Sequence, residues 1–256
     1  MQAYQDKIVF VAGGTGAVGE GIVKHLAEQG ATVIVSSRTE EKLDALRDYL
    51  GPQAEQLHGI VGNISDAAGA EAIAQQVQEA FGGVDAAVAS LGGWWYGKKL
   101  LDVPVDEWRS LVDTFLTSHF VASKYLIPTI KPGGSYTFIA GFSGAEAYPQ
   151  AGPVSASGAG QLMMRKVYSQ EIDPKQVRIN DLVLGPINTR ARLPEDRDPS
   201  YLTPEQIGRF VSFLAFEEGG GAITDASIKL LEQGDIEKQM EHQGENHEQD
   251  KTPRDT

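Results

Sequence analysis

The sequence contains no cysteine. Disulfides, a thiolate nucleophile and cysteine-based metal sites are therefore excluded. It has no apolar run approaching the length of a membrane span. Its opening residues, MQAYQDKIVFVAGG, show no charged leader before an apolar stretch and no cleavage-like pattern, so no secretion signal is expected. Basic residues are in short supply: 22 stand against 35 acidic ones, for a net charge of −13. That balance argues against nucleic acid or an anionic membrane as the main partner. No linker, repeat or change of composition interrupts the chain before residue 232. These absences together predict a cytoplasmic protein built on one large domain.

What remains is ordinary globular material. The 256 residues are 41% hydrophobic and 22% charged, enough to bury a large core without staples. The expected globular part is 1–231. From Glu232 to Thr256 there are eight acidic and three basic residues, with little apolar beyond Ile236 and Met240. This acidic tail is expected to be disordered or loosely attached. His242 and His247 lie in it, and solvated histidines are expected there rather than a metal site.

Apolar runs of strand length alternate with helical patterns along the chain. Strands are predicted at Lys7–Ala12, Thr32–Val35, Leu57–Val61, Val84–Ala89, Ser135–Ala140, Val177–Leu184 and Ala226–Leu231. Helices are predicted after Gly13-Gly14-Thr15-Gly16 (Val18, Ile22 and Leu26 at spacing four, stopped by Gly30), at Glu40–Leu50, Asp66–Phe81, Asp106–Ile127, Ser155–Ile172 and Pro204–Phe216. Such alternation implies βαβ units with right-handed crossovers. The fold class is α/β: a single Rossmann-type doubly wound domain, with a mostly or wholly parallel seven-stranded sheet and helices on both faces. Ligands in such domains bind at the carboxyl ends of the strands.

Gly13, Gly16 and Gly19 form G-x-x-G-x-x-G between the first strand and the first helix. That context suits a tight turn that brings backbone amides and a positive helix end to a pyrophosphate. Thr15 and Val18 lie within the same turn. An NAD site usually has an acidic residue at the end of the second strand, about twenty residues on, to hold the ribose 2′-hydroxyl. Here the strand ends Ser36-Ser37-Arg38. No carboxylate would repel a 2′-phosphate, and Arg38 can pair with one, so NADP is favoured over NAD. The competing reading makes Arg38 a solvated residue ahead of a charged helix.

With these features the chain resembles the short-chain dehydrogenase/reductase family from about Asp6 to Leu231. The glycine turn and SSRTEEKL resemble the family's NADP-type pattern. Gly62-Asn63-Ile64-Ser65 sits where the family often has an Asp-Val pair beside the adenine. Ala89-Ser90-Leu91-Gly92 occupies the place of its Asn-Asn-Ala-Gly after the fourth strand. Gly185-Pro186-Ile187-Asn188-Thr189 resembles its Pro-Gly turn, and the resemblance places Thr189 at the nicotinamide carboxamide. It also implies pairing through the long helices, hence a homodimer or homotetramer.

The resemblance further implies a catalytic Asn, Ser, Tyr and Lys. Residue by residue these positions fall on Phe115, Gly141, Val154 and Gly158. The last two lie in PVSASGAGQL, residues 153–162, which keeps the small residues of an active-site helix without its acid or lysine. Neither Tyr148 nor Tyr168 has a lysine four residues on. A positioned acid or base is worth about 10²–10⁴-fold in rate, so ordinary carbonyl–alcohol chemistry is expected to be weak.

Substitutes are sought nearby. In GGWWYGKK, Trp94, Trp95 and Tyr96 can wall a small apolar or aromatic ligand, or cover the core or a subunit interface. Tyr96, Tyr148 and Lys98 are candidate proton donors. His119 is expected to be structural. Arg190 and Arg192 can hold a cofactor phosphate or an anionic substrate, or be solvated. No metal site is expected. Three readings stay open: an NADP-dependent oxidoreductase with a non-standard site, an inactive homologue using NADP occupancy to regulate a partner, and a relic that acts through its surfaces.

Overall fold

The computed structural model describes residues 3–221, 223 and 227–241. Seven strands form one sheet: β1 Ile8–Ala12, β2 Thr32–Ser37, β3 Leu57–Val61, β4 Val84–Ala89, β5 Ile130–Gly141, β6 Val177–Leu184 and β7 Ser227–Leu230. Every neighbouring pair is parallel, in the order β3-β2-β1-β4-β5-β6-β7. The α-helices between them are α1 Gly19–Glu28, α2 Glu40–Leu50, α3 Ala67–Phe81, α4 Val105–Val112, α5 Ser118–Leu126, α6 Gly152–Glu171, α7 Pro204–Phe216 and the short α8 Glu218–Gly221.

The sheet is buried on both faces, which is why its strands read as unbroken apolar runs. In β1, Val9 and Val11 enter one core with Ile22, Leu26 and Phe210 from α1 and α7. Phe10 and Ala12 enter the other, with Ile73, Val77 and Leu126 from α3 and α5. The order in which strands are added reverses at β1, with β2 and β3 on one side and β4 onward on the other. The crevice outside the carboxyl ends of β1 and β4 is thus the topological switch point.

Four elements differ from expectation. The single helix expected over Asp106–Ile127 is broken into α4 and α5 by a π turn at Asp113–Thr117. Hydroxyls compete for the carbonyls there: Thr114 Oγ1 donates to Ser110 O at 2.8 Å and Ser118 Oγ to Thr114 O at 2.7 Å. The strand expected at Ser135–Ala140 begins at Ile130, with a register shift against β4 between Val84 and Ala86. Helix α6 starts at Gly152, not Ser155, with Pro153 in its first turn. Finally, the chain past Glu232 is not loose as far as residue 241. Residues 234–241 are helical, Ile236 is buried in the first core with Met240 against it, and Glu237 pairs with Arg209 of α7. Ala226, His242 and His247 lie outside the described residues. No helix among the described residues is long and apolar enough to cross a membrane.

Candidate functional site: a cleft at the carboxyl ends of the strands

The glycine turn is shaped by close backbone approach. Gly13 has φ +79°, and a Cβ there would lie 2.1 Å from Ser90 O. A Cβ on Gly19 would lie 2.1 Å from Gly13 O. Only glycine fits either place. The turn delivers the start of α1, where no side chain caps the helix. The Ala17 and Val18 amides donate to no acceptor among the described residues. Two free N–H groups at a positive helix end are suited to an anion such as a pyrophosphate.

These amides open on a cleft of about 650 Å³. Gly16, Ala17 and Val18 form one wall, Ser90–Trp94 and Ile139–Phe142 the floor, and Leu184–Ile187 with Thr189 the far side. Of the residues singled out by sequence, Gly16, Val18, Ser90, Leu91, Gly92, Gly185, Pro186, Ile187 and Thr189 therefore meet around one space. Thr15 does not line it. Ser37 is buried at the end of β2, and Arg38 beside it is exposed with no partner among the described residues. Asn63 uses its side-chain oxygen on Ser65 N at 3.1 Å, and Ile64 is buried in the second core. Neither lines the cleft.

The aromatic loop divides by alternation. Trp94 lines the cleft with Tyr148, their rings edge to face at 5.4 Å. Tyr96 packs on Tyr148 at 6.0 Å and lies parallel to Trp94 at 6.5 Å. Phe142, which no sequence motif marks, completes the cluster at 5.5 Å from Tyr148. Trp95 points elsewhere: its Nε1 donates to Glu107 of α4 at 3.2 Å. Lys98 also pairs with Glu107, holding that carboxyl below its usual range. The expected proton donor Lys98 is thus engaged away from the cleft. The loop is fixed to the segment before α6 by Gly97 N donating to Gln150 O at 3.0 Å and by a bridge from Lys98 to Ala151. Neither Tyr96 nor Tyr148 has a hydroxyl partner among the described residues.

Beside the floor of the cleft is a small annex of about 50 Å³. Phe115, Gly141, Val154 and Gly158 all line it. The four positions to which the resemblance assigns catalytic side chains thus converge on one point, as a catalytic constellation must. The annex shares Leu91, Gly93 and Ile139–Gly141 with the cleft, so the two adjoin. Ser143 and Gln161 also line it. No sequence motif marked these neutral residues.

His119 is structural, as expected. It is 1% exposed and lies 3.2 Å from Leu91 O through Nε2. Burial pushes its pKa down to about 4, so it is a neutral prop beneath the cleft floor. Arg190 is held by Glu20 through two bonds, at 3.1 and 2.8 Å, and stacks on Tyr49. Arg192 lines the cleft while donating to Ile187 O and Asp196 O.

A parallel doubly wound sheet whose glycine turn faces a cleft at the switch point defines a Rossmann-type nucleotide-binding domain. The family model for short chain dehydrogenase matches residues 7–199, and the chain belongs to the short-chain dehydrogenase/reductase family. "Dehydrogenase/reductase SDR family member 4" of Mus musculus is 28% identical over 187 residues, covering 72% of this chain and 67% of that protein. A short-chain dehydrogenase/reductase of Serratia marcescens superposes with a TM-score of 0.79 at 24% identity, over 89% of this chain and 97% of that one. A short chain dehydrogenase of Burkholderia cenocepacia, solved in complex with NADP, superposes with a TM-score of 0.77 at 20% identity, over 90% of this chain and 98% of that one.

Proposed function

We propose that this chain is an NADP(H)-binding oxidoreductase with a non-standard active site. The observation that carries this reading is the continuity of the cleft. It runs from the free Ala17 and Val18 amides to the Trp94–Tyr148 aromatic pair, joining a cofactor end to a ligand end. When bound, the dinucleotide supplies or accepts a hydride. The α1 amides hold its pyrophosphate. Arg38, without a partner among the described residues and with no acidic neighbour at the strand end, would pair with the 2′-phosphate. Gly185, Pro186, Ile187 and Thr189 bound the nicotinamide end. The NADP held by the Burkholderia protein in the same fold supports the choice of cofactor.

With Phe115, Gly141, Val154 and Gly158 at the usual catalytic positions, the chain has no tyrosine–lysine pair there. Tyr148 is the better remaining proton donor, since it lines the cleft, whereas Tyr96 does not. Trp94 and Tyr148 favour a small apolar or aromatic ligand. A homodimer or homotetramer is proposed through α4–α6, where Val105, Phe120, Met163 and Val167 are exposed.

Titration of the protein with NADPH and NADH, in the natural chain and in Arg38→Ala, tests this. NADPH should bind the natural chain more tightly than NADH. Arg38→Ala should weaken NADPH by roughly 10- to 100-fold, the worth of a charge-assisted hydrogen bond, and leave NADH unchanged. Binding of neither cofactor would sink the reading in favour of a homologue that acts through its surfaces.

A further inference from the structure

We infer that Ser143 anchors the polar end of the ligand inside the annex. The ligand would then have a flat apolar body and one small neutral hydrogen-bonding terminus, a carbonyl or hydroxyl oxygen. This rests on the cleft being a binding site.

Three observations converge on Ser143. The residue lines the annex. The residue is 3% exposed, and its Oγ is buried with no hydrogen-bond partner. A buried hydroxyl without a partner is unfavourable and uncommon, so each instance calls for an explanation. Third, a Cβ on Gly141 would lie 3.7 Å from Ser143 Oγ. The hydroxyl therefore stands beside the space that a side chain at 141 would occupy. The 3₁₀ turn Phe142–Gly144 carries it there from two residues further along the chain.

The surroundings define what that hydroxyl can hold. Phe115, Val154, Leu91 and Ile139 give the annex apolar walls, and no charged residue among the described residues lines it. Gln161 donates its amide nitrogen to Ile139 O at 3.0 Å, leaving its amide oxygen as an acceptor. A charged terminus would enter without a counterion and is disfavoured. A neutral oxygen would gain the Ser143 bond. At about 50 Å³ the space suits one small group, since a water claims about 30 Å³. The remainder of the ligand then lies in the adjoining cleft, against Trp94 and Tyr148.

The three tryptophans, Trp94, Trp95 and Trp108, sit in the aromatic loop or on α4, so intrinsic fluorescence reports on the site. The full chain is titrated with acetophenone and with ethylbenzene, which lacks only the polar terminus. Both titrations are run with and without NADPH. Acetophenone should bind more tightly. Ser143→Ala should weaken it about fivefold, the worth of one neutral hydrogen bond, with ethylbenzene unchanged. Val154→Phe, which fills the annex from α6, should also abolish the preference and guards against a Ser143 variant that misfolds. Equal affinities in the natural chain, undiminished acetophenone binding in Ser143→Ala, or binding of neither probe would overturn the assignment. NADPH binding is read separately, so its failure strikes the cofactor reading while the comparison without NADPH still decides on Ser143.

Discussion

Gly144 and Gly158 meet backbone against backbone. A Cβ on Gly158 would lie 2.8 Å from Gly144 Cα, and one on Gly144 would lie 2.7 Å from Gly158 C. Helix α6 is thereby seated directly on the turn after β5, in the place where the family resemblance expects a lysine. Gly158→Lys must push these backbones apart, and overpacking of this kind costs about 1–3 kcal/mol. The urea midpoint should fall by a corresponding amount. The double variant Val154→Tyr/Gly158→Lys should gain no carbonyl reduction, because the helix that carries both side chains is displaced. Recovery of turnover with unchanged stability would contradict this.

His119 makes the fold acid-sensitive. Burial lowers its pKa from 6.5 to about 4, so the unfolded chain takes up the proton first. The stability it contributes is present above pH 6.5 and is lost as pH falls towards 4. The full loss is about 3 kcal/mol. His25, also lowered chiefly by burial, acts in the same direction. The difference in urea midpoint between pH 7 and pH 5 should shrink in His119→Leu relative to the natural chain. An unchanged pH slope would refute the account.

Arg165 of α6 and Asp181 of β6 form a buried ion pair at 2.8 Å, with side chains 3% and 0% exposed. Removing one partner strands the other in the interior. Arg165→Ala should cost about 3–5 kcal/mol, whereas Arg165→Met/Asp181→Leu should come much closer to the natural stability. Denaturant melts of the two variants decide the matter. Equal losses would mean that the pair itself is the main stabilising interaction.

The exposed apolar residues on α4–α6 predict self-association. Phe120 is 47% and Met163 57% exposed on neighbouring elements. Sedimentation of the natural chain should show a dimer or tetramer, and Phe120→Asp with Met163→Asp should yield a monomer that retains its NADPH affinity. A natural chain that sediments as a monomer would rule the interface out.

Strand and helix order was legible because a sheet buried on both faces leaves continuous apolar runs such as IVFVA and VDAAVA. The glycine turn was legible because the contacts of Gly13 and Gly19 admit no side chain. What escaped depends on three-dimensional neighbours. The π turn at Asp113–Thr117 comes from hydroxyls bonding back to carbonyls, and helical periodicity barely registers one wider turn. The docking of residues 234–241 rests on Ile236, with Met240 and the Glu237–Arg209 pair beside it, within a segment otherwise polar enough to read as solvated. Trp95 and Trp94 look equivalent in sequence but point apart. Ser143 and Gln161 carry no motif, and only the collapse of α6 onto the β5 turn exposes their relation to the annex.

The Glu20–Arg190 pair has a consequence for traffic at the cleft. Glu20 follows the glycine turn directly and Arg190 follows Thr189, so their bridge ties together the two chain segments that flank the cleft. An arriving polyanion meets a chain of net charge −13 and a cation already occupied by a carboxylate. Added salt screens the repulsion and loosens the bridge at once. Salt therefore acts on cofactor capture in two opposed ways here, easing approach past the net negative charge and weakening the pull of the free Arg38 on a 2′-phosphate, where a cleft lined with free basic residues would only lose.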